Sequence, residues 1–297
     1  MLATRRRRLL SGALASAGLA AACRSAGAVV VLDSTWRAEG GRPGRESAGF
    51  GAHIALANQP QFAGLISFSW DGKVWGSASG TWIGNSGGQG LVLTSAHVYE
   101  RNDVATTYVY RTISGDVRRG VRLDLHPLYN WNNEETTGYD FAIVRLDGPV
   151  TDAGPPPALY AGTNELGARI VMIGFGNRGI GSVGERPEYH VGSDKAAAEN
   201  TVDEVVPLVQ PVPRGSDAGN WFGAKLRREG EGASRLDGLL GSGDSGGSTW
   251  IQTGGVWAIA GVNSNGGEEY ESHAYFSRVS GVRDWITRLA PSARFVA

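Results

Sequence analysis

Three short segments of this chain carry the residue types of nucleophilic catalysis. Gly243-Asp244-Ser245-Gly246-Gly247 holds a serine in a glycine-rich turn, Thr94-Ser95-Ala96-His97 holds a histidine, and Tyr139-Asp140-Phe141-Ala142-Ile143-Val144 holds a carboxylate. A serine hydroxyl is a poor nucleophile at neutral pH and needs a base within hydrogen-bond reach. The three residues supply a nucleophile, a base and an orienting carboxylate. Each segment alone also reads as something ordinary: a tight turn, a satisfied histidine at a strand end, a capping or surface aspartate. Their joint occurrence in the order His, Asp, Ser is what gives them weight.

The flanks name the elements that must position these residues. Leu91-Val92-Leu93-Thr94 is a short apolar run leading into His97, and Phe141-Ala142-Ile143-Val144-Arg145-Leu146 is another leaving Asp140. Both read as buried strands. The three motifs, in this chain order, resemble the trypsin/chymotrypsin family of serine proteases. The resemblance extends to His126-Pro127-Leu128-Tyr129-Asn130, Ile170–Asn177, Trp257–Ser264, Tyr275–Val279 and Trp285-Ile286, and covers roughly residues 55 to 290.

That resemblance implies an all-β fold of two six-stranded antiparallel β-barrels with a C-terminal helix. Barrel one is expected at about 55–147, barrel two at about 163–280, and the helix over Val282 to Leu289, with Gly148 to Gly162 connecting the barrels. It also implies roles. His97 would take the Ser245 proton and return it to the leaving group, Asp140 would hold the His97 tautomer, and the N–H groups of Gly243 and Ser245 would receive the oxyanion. The floor of the substrate pocket would be Leu239, six residues before Ser245, with walls near Ser264, Asn265, Gly266 and Gly267. Trypsins carry an aspartate at that floor. A leucine cannot neutralise a buried cation, so the expected preference is for apolar side chains unless Asp237 or another carboxylate reaches the pocket. Asn265 stands where a tryptophan is common, which implies a wider groove. The Ile-Val-Gly-Gly terminus that pairs with the aspartate before the nucleophile in many relatives is missing at residues 46–56, leaving the partner of Asp244 open.

The 297 residues, 41% hydrophobic and with nine Trp, suffice for a large core, and argue against disorder. Residues 24–297 carry a net charge of −5, which provides no footprint for nucleic acid. The basic cluster Arg5–Arg8 is followed by small and apolar residues to Ala22, so residues 1–23 read as an export signal, either twin-arginine or ordinary secretory. Cys23, the only cysteine, closes Leu19-Ala20-Ala21-Ala22-Cys23, which resembles a lipobox and implies lipidation and membrane attachment. Ala26-Gly27-Ala28 is the competing small-residue cleavage site. Residues 24–54 read as a linker or propeptide, in which Val29-Val30-Val31-Leu32 finds no place. His53, His126, His190 and His273 share no metal-ligand spacing and read as surface or turn residues; no cofactor is implied. The reading is an exported, monomeric endopeptidase acting on polypeptides. An esterase on the same triad, or a binding protein that keeps the fold, stands as the alternative.

Overall fold

A computed structural model describes residues 29–129, 138–190, 194–206 and 220–297. The first 28 residues, Cys23 included, and Asn130 lie outside them.

The apolar runs around His97 and Asp140 become strands because both of their faces are covered. In β4 (Gln89–Thr94), Val92 points into the first barrel while Leu91 and Leu93 point at the second lobe. In β7 (Ala142–Leu146), Ala142, Val144 and Leu146 point inward and Ile143 outward. Successive side chains alternate faces, so two-sided burial demands the continuous runs seen in the sequence. With β2 (Leu65–Ser69), β3 (Ser79–Ser86), β5 (Val109–Arg111) and β6 (Val117–Leu125), these strands close a barrel in the order β2-β3-β4-β7-β6-β5.

The second lobe is a curled sheet rather than a second closed ring of hydrogen bonds. Its path runs through β12 (Ala196–Thr201), β9 (Arg169–Gly174), β16 (Ser248–Thr253), β17 (Val256–Gly266), β18 (His273–Arg278), β14 (Trp221–Lys225) and β13 (Glu204–Val205). β8 (Ala158–Tyr160) pairs with β17 on one side and with β19 (Arg294–Val296) on the other. The Arg278 guanidinium and the Glu165 carboxylate, both buried, pair bidentately at 3.0 and 2.8 Å. The C-terminal helix α3 (Arg283–Leu289) buries Trp285 and Ile286 against the interlobe core.

Residues 29–54 are part of the fold rather than a tether beside it. Val29, Val30 and Val31 are each fully buried. β1 (Val30–Val31) joins a small sheet with β10 (Gly179–Ile180), β11 (Gly184–Glu185) and β15 (Gly238–Leu239). Each buried valine contributes about 1.5–3 kcal/mol of transfer free energy, as an upper estimate. α1 (Asp33–Ala38) follows, and its Asp33 carboxylate accepts from Ser182 N at 3.0 Å and Ser182 Oγ at 2.6 Å. α2 (Gly51–Ala57) lies on β12, where His53 Nδ1 meets the Ala197 carbonyl at 2.8 Å.

His53 is fully buried, and burial depresses its pKa to about 4. His126 is also buried, stacked on Tyr139 and edge-on to Trp285, and burial again holds it at about 4. Neither is the surface residue expected from sequence. Each sits on an apolar face whose partners lie far away in the chain.

Candidate active site

Strand register brings His97 and Asp140 together. β4 and β7 are antiparallel, with Thr94 opposite Ala142. His97 lies three residues beyond one strand end and Asp140 two before the other, so both project from the same rim. The carboxylate grips the histidine twice. Asp140 Oδ1 accepts from His97 N at 2.8 Å, and Asp140 Oδ2 lies 2.6 Å from His97 Nδ1. Ser264 Oγ donates to the same Oδ2 at 2.6 Å. Asp140 is fully buried, which alone would raise its pKa; His97 and these hydrogen bonds hold it below its ordinary value instead.

The serine comes from the other lobe, on the turn between β15 and β16. Ser245 Oγ lies 2.8 Å from His97 Nε2, completing a continuous line of contacts from Asp140 through the ring to the hydroxyl. The turn is docked onto barrel one through Ser79, whose N–H donates to the Ser245 carbonyl at 2.8 Å and whose Oγ donates to the Gly243 carbonyl at 3.0 Å. Gly243 has φ +96°, and a Cβ there would stand 2.7 Å from the Gly76 carbonyl. Gly246 has φ +80°, and a Cβ would strike Thr94 Oγ1 and the Ser79 carbonyl. Both conformations and both close approaches require glycine. Among the described residues the N–H groups of Gly243 and Ser245 donate to no protein acceptor, so both remain able to bind an oxyanion.

A cavity of about 270 Å³ opens beside these groups, lined by His97, Asp140, Ser245, Leu240, Gly241, Ser242, Ser264, Asn265, Gly266 and Glu268. Of the expected wall residues, Ser264, Asn265 and Gly266 line this cavity and Gly267 does not. Leu239 does not line the cavity. It is fully buried in the core of the second lobe, with its backbone paired to Val30 in β1. A one-residue change of strand register reverses which face a side chain takes, and Leu240 occupies the place expected for Leu239. Asp237 is elsewhere too, bonded to Arg169 at 2.8 Å. Besides Asp140, which is engaged by His97, the carboxylate that reaches the cavity is that of Glu268, an exposed residue that the motifs do not mark.

Asp244 points away from the cavity and is fully buried. Its carboxylate accepts from Gly241 N and Gly176 N, each at 2.8 Å, and from Val29 N at 3.3 Å. Burial pushes it up to about 7 despite the first two bonds, and nearby Glu185 adds to the rise. Val29 carries φ +76°, a strained value for a β-branched residue. The partner of Asp244 is thus the apolar run at 29–32, not a segment at 46–56.

A search of curated proteins matches none of them. A comparison with protein families matches residues 78–259 to the trypsin-like peptidase domain. That span contains the histidine strand, the aspartate strand, the serine turn and most of both lobes, and this chain belongs to the trypsin-like peptidase family.

Proposed function

We propose that the protein is a serine endopeptidase that hydrolyses peptide bonds through an acyl-enzyme. The observation that carries this reading is the unbroken contact line Asp140–His97–Ser245, at 2.6 and 2.8 Å. His97 removes the Ser245 proton as Oγ attacks the scissile carbonyl, then gives it to the leaving amine. Asp140 keeps Nδ1 protonated and stabilises the imidazolium, and Ser264 fixes the same carboxylate oxygen that meets Nδ1. The oxyanion is received by the amides of Gly243 and Ser245. Labelling of Ser245 by a fluorophosphonate probe, lost in Ser245→Ala, tests the assignment; an unlabelled wild-type chain refutes it. Matched ester and amide substrates separate a peptidase from an esterase, and a chain that binds peptides without turnover would be a binding protein.

The side chain preceding the cleaved bond enters the 270 Å³ cavity, whose inner wall is Leu240. Glu268 stands exposed at the rim, where an ion pair is worth about 0–1 kcal/mol. Burying apolar area against Leu240, at about 25 cal/mol per Å², outweighs that pair. Small or medium apolar residues therefore remain the preferred substrates, with Glu268 making a basic residue tolerable rather than favoured.

The same reading includes export, through the basic and apolar leader. Between lipidation at Cys23 and cleavage after Ala28, the surroundings of Val29 favour cleavage. Scission there turns the Val29 amide, 3.3 Å from Asp244, into an α-ammonium opposite a buried carboxylate that lacks a salt-bridge partner among the described residues. It also abolishes the strained φ, which exists only while Val29 is bonded to Ala28. Mass spectrometry of the exported chain decides between the two: a terminus at Val29 supports this reading, and a lipidated Cys23 as the mature terminus refutes it.

A further inference from the structure

A second cavity, of about 350 Å³, lies where the two lobes meet. It is formed by Asn58 at the end of α2, Arg111 and the turn that follows β5, and Phe175 and Lys195 of the second lobe. Lys195 is only 9% exposed, and among the described residues its ammonium has no hydrogen bond and no ion pair. Its stem is buried while its ammonium, which is not among the fully buried polar atoms, opens into the cavity. Burial alone lowers its pKa to about 8, with no carboxylate offsetting the effect. Arg111 adds a second cation to the same cavity, with its guanidinium 4.3 Å above the Trp75 ring. Two acids stand nearby. Asp152 is engaged by Thr112 Oγ1 at 2.6 Å and by Ser114 Oγ, and Asp194 stands exposed at the rim.

The cavity connects to the reacting centre. Phe175 N donates to Ser79 Oγ at 2.9 Å, and that oxygen donates in turn to the Gly243 carbonyl. On the surface, Gly76 abuts Gly243, and the neighbouring Trp75 carries Arg111. Phe175, which lines the cavity, is thus two hydrogen bonds from the Gly243 carbonyl in the serine turn. An extended chain advances about 3.3 Å per residue, so a cavity this close is reached within a few residues of the cleaved bond.

We propose that this cavity is an acidic-residue subsite for the leaving half of the substrate, in which a peptide carboxylate pairs with Lys195. The inference rests on the peptidase reading and gives that site a substrate class: peptides carrying Asp or Glu about two to four residues after the scissile bond. A substrate's own C-terminal carboxylate presents the same chemistry.

The test uses the chain starting at Val29 and quenched fluorescent peptides with Glu or Gln at each of the first four leaving-side positions, each made with an amidated and a free C-terminus. In the wild type, Glu at one position is expected to raise kcat/KM by about tenfold over Gln. Lys195→Met should bring that ratio close to one while Gln peptides are cleaved at wild-type rates, and Lys195→Arg should keep it. A tenfold effect of the free terminus alone would assign the site to the C-terminal carboxylate. The same peptides are titrated by fluorescence anisotropy against Ser245→Ala, which reads binding without turnover. Absence of cleavage with Lys195-dependent binding of Glu peptides would sink the peptidase reading and leave the subsite standing. Equal Glu and Gln ratios in the wild type, or a ratio that survives Lys195→Met in a chain with wild-type melting temperature, overturns the proposal.

Discussion

Cutting the chain before Val29 should change how its stability responds to pH, and the size of that change follows from Asp244. In the uncut chain this fully buried carboxyl is held near 7, against 3.8 for an ordinary aspartate. A carboxyl raised in the folded state binds its proton more tightly there than in the unfolded chain. Its contribution is fully present below pH 3.8 and is lost as pH rises toward 7. The difference corresponds to about 4 kcal/mol. In a chain beginning at Val29, the α-ammonium faces the carboxylate and lowers its pKa. The free amine titrates near 7.7–8.0, and pairing raises it, so the stability of the pair is lost only as pH rises through that higher value. The experiment is urea unfolding from about pH 4 to pH 8 on both forms, in a Ser245→Ala background to prevent self-digestion. The uncut form should lose stability across this range relative to the cut form, by up to about 4 kcal/mol. His53 and His126 titrate in both forms and cancel in the comparison. Asp244→Asn should erase the difference. Parallel profiles for the two forms would refute the claim that Val29 and Asp244 are electrostatic partners.

Three further outcomes are expected. Ser245→Ala and His97→Ala should each abolish most turnover with the fold intact, and Asp140→Asn should lower kcat by about 10⁴-fold through the wrong His97 tautomer; near-normal hydrolysis by purified Ser245→Ala would remove the assignment. Leu240→Asp should shift cleavage toward Lys and Arg in a peptide-library profile at some cost in melting temperature, because Leu240 is also a core residue, whereas Leu239→Asp, which does not face the cavity, should lower the melting temperature severely without that shift. His53, lowered by burial from 6.5 to about 4, contributes stability above pH 6.5 that is lost as pH falls toward 4, so His53→Met should flatten the acid limb of the unfolding profile by about 3 kcal/mol.

What could be read from sequence was what depends on neighbours in the chain. The runs before His97 and after Asp140 are short, doubly buried strands, and each carries its functional residue within three positions of its end. Gly243 and Gly246 are glycines because the turn itself requires positive φ. Such constraints act over a few residues, so the motifs keep their form. The closed first barrel and the C-terminal helix follow from the same local signals.

The misplacements share the opposite property. Val29–Val31 is three valines with no turn or periodic context, and its meaning lies in strands near 180 and 239. Leu239 and Leu240 are chemically identical neighbours. Both join the core of the second lobe, but only Leu240 also lines the substrate cavity, while Leu239 is paired with Val30, and nothing within ten residues of them records that pairing. Lys195 is hidden for the same reason: a lysine beside Ala196-Ala197-Ala198 reads as a solvated strand end. It becomes a buried cation because α2 and the turn after β5 close over it from the other lobe. The features that the motifs do not record thus sit where the N-terminal segment and the two lobes meet, in contacts between segments far apart in the chain. Substitutions at Lys195, Leu240 and Val29 should therefore alter which peptides are cleaved, and when, without disturbing the contact between His97 and Ser245.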